Sequence, residues 1–123
     1  MHPVIQVALG GALGAVLRYG VVTGAARAFG TGFPVGTMVV NIAGSFVMGV
    51  LMAWFASRAS AVWAMPLLTV GVLGGFTTFS AFSLETVALY EQGRWSAASV
   101  YVVVSVVGSV VALAGGLTLM RGA

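Results

Sequence analysis

Four long apolar blocks dictate most of what this chain can become: Val4 to Ala26, Val35 to Ala56, Val62 to Tyr90 and Ala97 to Met120. Each exceeds the roughly 18 residues that mark a membrane-spanning helix, and only a helix satisfies the whole backbone of a single segment in lipid. Short gaps holding turn and charge signals separate the blocks: Arg27 to Pro34, Ser57 to Ser60, and Glu91 to Trp95. The chain therefore reads as an all-α membrane protein, one domain over residues 1–123 with four transmembrane helices, multi-pass in the cell (inner) membrane. With 60 % hydrophobic and 6 % charged residues it has no polar coat to turn toward water on all sides.

The polar inventory narrows the function classes. Its charges are Arg18, Arg27, Arg58, Arg94, Arg121, Glu85 and Glu91, with no lysine and no aspartate. Scattered arginines form no basic stripe, so the net charge of +3 is no footprint for nucleic acid. The absence of cysteine leaves neither a disulfide framework nor a thiolate metal site. One histidine and two glutamates supply no positioned pair for nucleophilic or acid/base chemistry, so an enzyme is not expected. The N-terminus lacks a basic n-region, and the apolar stretch ahead of Ala26-Arg27-Ala28 is too long for the core of a signal peptide. The first block is expected to stay as a membrane helix.

The third block is longer than a membrane is thick. From Val62 to Tyr90 is 29 residues, which as one helix would run roughly 43 Å against a hydrocarbon core of about 30 Å. Tilt absorbs such a length, but Gly74-Gly75 followed by Thr77-Thr78 favours an interruption in mid-membrane. Glycine is a poor helix former, and threonine hydroxyls satisfy backbone groups that an interruption frees. Orientation rests on arginines alone. If the helices alternate, Arg58 and Arg121 share one side and Arg27 and Arg94 the other, with Arg18 a third on the latter if it is counted with the nearer end of its helix. So even a positive-inside count predicts dual topology, with copies inserted both ways and paired antiparallel as a homodimer; the alternative is that one arginine or the lipid decides.

Polar groups recur inside the apolar blocks. Thr37, Asn41 and Ser45 fall four apart on one face of the second helix, and Tyr101, Ser105 and Ser109 do the same on the fourth. Helix packing explains any single hydroxyl. An unpaired amide in hydrocarbon costs several kcal/mol, however, so the two stripes together point to a wet or ligand-filled pathway. Hydroxyls and an amide NH₂ donate hydrogen bonds, which suits an anion better than a cation. Phe76, Phe79 and Phe82 lie three apart, and the positive edges of such rings replace some of an anion's lost hydration, although Phe76 is read as packing. Glu85, deep in the third block, must face a cavity, pair with an arginine or carry a proton. Arg18 either draws anions into a vestibule or clamps a neighbouring helix. Gly10/Gly14, Gly20/Gly24 and Gly71/Gly75 are GxxxG pairs that permit close helix approach.

Four segments, GGALGAVLRY, GTMVVNIAGSFVMG, GVLGGFTTFSAFSLE and the Tyr-Ser-Ser stripe of the last helix, closely resemble the Fluc/CrcB fluoride channels of microbes over nearly the whole length. The resemblance implies a dual-topology antiparallel homodimer with two fluoride pores and a structural sodium ion (Na+) on the two-fold axis. It implies main-chain carbonyls of Gly74 and Thr77 as the sodium ligands. The pore phenylalanines would be Phe79 and Phe82, facing Asn41, and the polar track Tyr101, Ser105 and Ser109, with Ser80, Ser83 and Glu85 nearby. Relatives can extend that track by a further hydroxyl where this chain has Leu113, which puts the outer end of the track in question. No GxxxxGK[ST] loop is present, so passive export of cytoplasmic fluoride is expected.

Three other readings stand beside this one. A small multidrug exporter shares the helix count and dual topology but needs an acidic residue in its first helix, and none precedes Glu85. A non-conducting membrane subunit would leave the polar stripes dry. A fluoride/proton antiporter would couple proton movement to fluoride.

Overall fold

The computed structural model describes residues 1–122, which contain four helical segments long and apolar enough to cross a membrane: Pro3–Phe29, Val35–Ser57, Pro66–Glu91 and Trp95–Gly122. The chain is a multi-pass membrane protein. Helix α1 (Pro3–Phe29) begins where His2 Nδ1 accepts the Val4 N–H at 3.1 Å, with Pro3 in the first turn, where a missing N–H is harmless. It ends at Gly30, whose φ of 80° turns the chain out while its N–H still reaches Ala26 O at 2.8 Å. Helix α2 (Val35–Ser57) follows Pro34.

The third block is less regular than the other three. Val62 to Ala64 belong to a 3₁₀ segment, Ala59–Ala64, and the continuous span starts only at Pro66. Proline suits a first helical turn and cannot sit inside one, which moves the boundary inward from the end of the apolar run. From Pro66 to Leu73 the helix has π geometry, and it continues as a single α turn, α3 (Gly74–Phe76). Thr77 is extended (φ −89°, ψ 159°), and helix α4 (Ser80–Glu91) follows. A turn at Gly93 (φ 75°) then leads into α5 (Trp95–Gly122).

Glycine sets the helix spacing. A Cβ on Gly14 would collide with Val72 O, and one on Gly75 would lie 2.5 Å from Gly11 O, so α1 touches the third span backbone to backbone. The α2–α5 pair is comparably extensive and uses the same device. Gly49 abuts Leu113 O and Gly116 abuts Phe46 O so closely that a side chain at either position would overlap the facing carbonyl. Gly20 and Gly24, by contrast, meet nothing within 4 Å.

The gaps sort to two ends. An Arg94 guanidinium N–H donates to Gly32 O, which ties the α4–α5 turn to the α1–α2 turn and puts both gaps on one side. At the other end Gln6 O lies 3.1 Å from where a Cβ on Gly71 would sit, so the N-terminal turns of α1 lie beside the start of the third span.

Candidate functional site

Two polar clusters occupy the interior, one above the other along α2 and α5. In the first, Glu85 from α4 accepts two hydroxyl hydrogen bonds: Tyr101 Oη donates to Oε1 at 3.0 Å and Thr37 Oγ1 to Oε2 at 3.1 Å. Tyr101 and Thr37 are 0 % and 2 % exposed, so three helices converge on this carboxylate. Two donors plus facing cavities offset much of the cost of placing a carboxyl group at this depth. Arg18 lines one of those cavities, about 270 Å³, together with Glu85, Thr37 and Ala81. The partner of Arg18 is nevertheless the backbone: its Nε–H donates to Gly75 O at 3.1 Å. This bond joins α1 to α3, while Arg18 also lines the cavity beside Glu85.

The second cluster surrounds the short stretch from Thr77 to Phe79 that follows α3. Asn41 Nδ2 donates to Thr78 O at 2.9 Å while the Thr78 N–H donates to Asn41 Oδ1 at 2.8 Å. The amide whose isolation in lipid would be costly is thus satisfied by main chain, in the pattern of one peptide group pairing with another. The two bonds leave one Nδ2–H of Asn41 free to face the adjoining groove. That groove, about 440 Å³, is lined by Asn41, Ser45, Thr77, Phe79, Ser105 and Ser109 among others. Ser105 is 4 % exposed and its hydroxyl has no partner in the protein. A buried hydroxyl left unsatisfied costs about 1–3 kcal/mol, and no group of the protein offsets that cost at Ser105.

Aromatic rings run along the same path. Phe79 and Phe82 have centroids 5.6 Å apart, Phe82 and Tyr101 are 5.2 Å apart, and Phe33 stands edge-on to Tyr101 at 5.6 Å and 84°. Phe79 is 78 % exposed, whereas Phe82 is buried. Phe76 packs against Gly44, in keeping with its reading as a packing residue. Ser80 and Ser83 stay within their own segment: Ser83 Oγ donates to Phe79 O at 2.9 Å, and Ser80 Oγ lies 3.4 Å from Thr78 Oγ1. The backbone of Leu113 packs on Gly49, so at this position α5 serves the α2 contact.

The main chain here has acceptors to spare. Asn41 takes the Thr78 N–H that an unbroken helix would give to Gly74 O, and Thr78 Oγ1 takes the Ala81 N–H, at 3.2 Å, that would go to Thr77 O. Both carbonyls are thereby released from the helical ladder, which is the donor chemistry a hard monovalent cation requires. Among the described residues no cluster of histidine and carboxylate side chains offers an alternative metal site.

A sequence model described as "CrcB-like protein, Camphor Resistance (CrcB)" matches residues 5–117. The chain belongs to the CrcB family. Among curated proteins, it is 52 % identical over 118 residues to the fluoride-specific ion channel FluC of Cereibacter sphaeroides, covering 96 % of this chain and 94 % of that one. It is 52 % identical over 122 residues to the fluoride-specific ion channel FluC of Chelativorans sp. (98 % of each chain). It is 53 % identical over 121 residues to that of Paracoccus denitrificans (98 % of this chain, 96 % of the relative). In this CrcB-family chain, Phe33 and Arg94 make contacts, with Tyr101 and with Gly32 O, from gaps whose residues signal only turns and charge. Their signal is weak: an aromatic ring before Pro34, and an arginine just after a glycine turn.

Proposed function

We propose that this chain is a fluoride-selective ion channel that exports cytoplasmic fluoride passively. The observation that carries the reading is the partnerless Ser105 hydroxyl, buried beside a groove lined by Ser105, Ser109, Asn41 and the Phe79 and Phe82 rings. Fluoride is small and tightly hydrated, so a path for it must replace water with closely spaced donors and still let the ion leave. Free hydroxyl and amide hydrogens, followed by the positive edges of phenyl rings, supply that without a fixed positive charge that would trap the anion. The names carried by relatives half identical over nearly the full length support the same ion.

In this proposal the third span is broken in mid-membrane at Thr77 to Phe79, and the working unit is an antiparallel dual-topology homodimer with two pores. The open face of α1 at Gly20 and Gly24 supports a second copy packing closely. Carbonyl oxygens of Gly74 and Thr77 from both copies would hold a structural sodium ion, whose charge would balance the acceptors gathered at the centre. The path continues from the groove past Tyr101 and Ser105 toward Glu85 and Thr37.

Purified protein in liposomes loaded with fluoride tests this: efflux well above protein-free vesicles, with chloride efflux far slower, is expected. Fluoride efflux at the protein-free rate, or equal to chloride efflux, overturns it. Glu85, the lone carboxylate among the polar stripes, favours a second reading as a fluoride/proton antiporter. A proton flux stoichiometric with fluoride, persisting when the membrane potential is clamped to zero, would select that reading.

A further inference from the structure

Resting on the fluoride-channel reading, we infer that the α1–α2 turn forms one mouth of the conduction path and that Arg94 is the residue that positions it. A cavity of about 210 Å³ lies between this turn and the Glu85 cluster. Its floor is Thr37 and Glu85, its roof the run Gly30 to Pro34, and Gln92 at the end of α4 closes one wall. The floor is therefore the same carboxylate and hydroxyl pair that ends the polar track, while the roof faces the surface at the exposed residues Gly30, Thr31 and Gly32. Between floor and roof the cavity is walled by small and apolar side chains of α1 and α4, among them Val22, Ala25, Ala26 and Ala88.

Two contacts hold the roof in place. Arg94 donates to Gly32 O from the opposite turn, and the next residue, Phe33, sets its ring edge-on to Tyr101, whose hydroxyl donates to Glu85. Arg94 is thus linked through Gly32, Phe33 and Tyr101 to the carboxylate at the floor. Phe33 is also the last of four rings that begin at Phe79, so the aromatic row runs from the 440 Å³ groove to this cavity without a gap wider than 5.6 Å between centroids. A turn that served only to connect helices would need neither tether.

The chain contains no cysteine, so single thiols can be placed without background. Thr31→Cys and Gln92→Cys sit at the mouth, and Ser60→Cys sits in the 3₁₀ segment at the other end, lining none of these cavities. Each variant is labelled in detergent with a charged methanethiosulfonate, the labelling is verified by mass, and fluoride efflux is compared between labelled and unlabelled samples after reconstitution. Labelling at Thr31→Cys and Gln92→Cys is expected to cut efflux about tenfold, and at Ser60→Cys by less than about twofold, because only the first two obstruct the path. Complete labelling at both mouth positions with efflux unchanged overturns the mouth, while efflux from the native chain keeps the channel reading intact. A native chain that carries no fluoride removes both. For the positioning role, Arg94→Gln should lower efflux about threefold and Arg94→Lys should recover at least half of it, since a lysine still donates to a carbonyl. Equal efflux from Arg94→Gln and native protein overturns that role.

Discussion

At Ser105 the demands of packing and of conduction give opposite forecasts. Its hydroxyl is buried and bonds to nothing in the protein, so Ser105→Ala removes no contact and should leave stability within about 1 kcal/mol, or raise it. If the hydroxyl faces a passing anion, the same change should slow fluoride efflux about tenfold, a loss of roughly 1.4 kcal/mol of stabilisation along the path. Thermal unfolding in detergent and liposome efflux, measured on one preparation, separate the two. Asn41→Ala is predicted to behave differently, because two hydrogen bonds to Thr78 disappear together. It should destabilise the protein by about 1–3 kcal/mol and reduce efflux as well. Asn41 also marks how far residue types can be read. That the amide needs partners follows from its chemistry in lipid; that the partner is a main-chain peptide depends on where the extended residue falls, which no spacing rule specifies.

Between elements, the legible part is the glycine. Gly10/Gly14 and Gly71/Gly75 read as close-packing pairs and do place α1 against the third span, because a motif that lacks side chains has few other uses in lipid. Gly49 and Gly116 do the same between α2 and α5, yet neither belongs to one of the three GxxxG pairs, so the sequence carries no comparable signal for them. The third span begins a few residues later than its apolar block, since apolar character continues through a 3₁₀ segment that ends just before Pro66. Gly14→Ala is expected to destabilise by about 1–3 kcal/mol, because its Cβ would overlap Val72 O and the backbone cannot yield. Gly11→Ala, with open space around it, should be neutral within about 0.5 kcal/mol in the same melt. Gly24→Leu should leave the fold of one chain intact yet shift a detergent-solubilised sample toward monomer on size exclusion, if that face receives a second copy.

For the whole molecule, the spread of arginine is the most consequential trait. Arg27 and Arg94 share the end tied by the Arg94–Gly32 contact, while Arg58 follows α2 and Arg121 lies in the last turn of α5, so insertion receives little direction. Adding three arginines within Ser57 to Ser60 should fix one orientation and abolish efflux when that variant is expressed alone. Co-expression with a variant biased the other way by arginines in Arg27 to Thr31 should restore it, as read by fluoride tolerance of the cells and by efflux from purified pairs. Return of activity without the second variant would contradict the antiparallel unit. The double grip of Asn41 on Thr78 has a mechanical side. Two bonds formed by a single amide cannot slip in sequence like rungs of a ladder, so they tie α2 to Thr78 at one point in both directions. In the proposed channel, a larger halide passing this groove would have to prise both loose together, so that stiffness, as much as chemistry, would guard size.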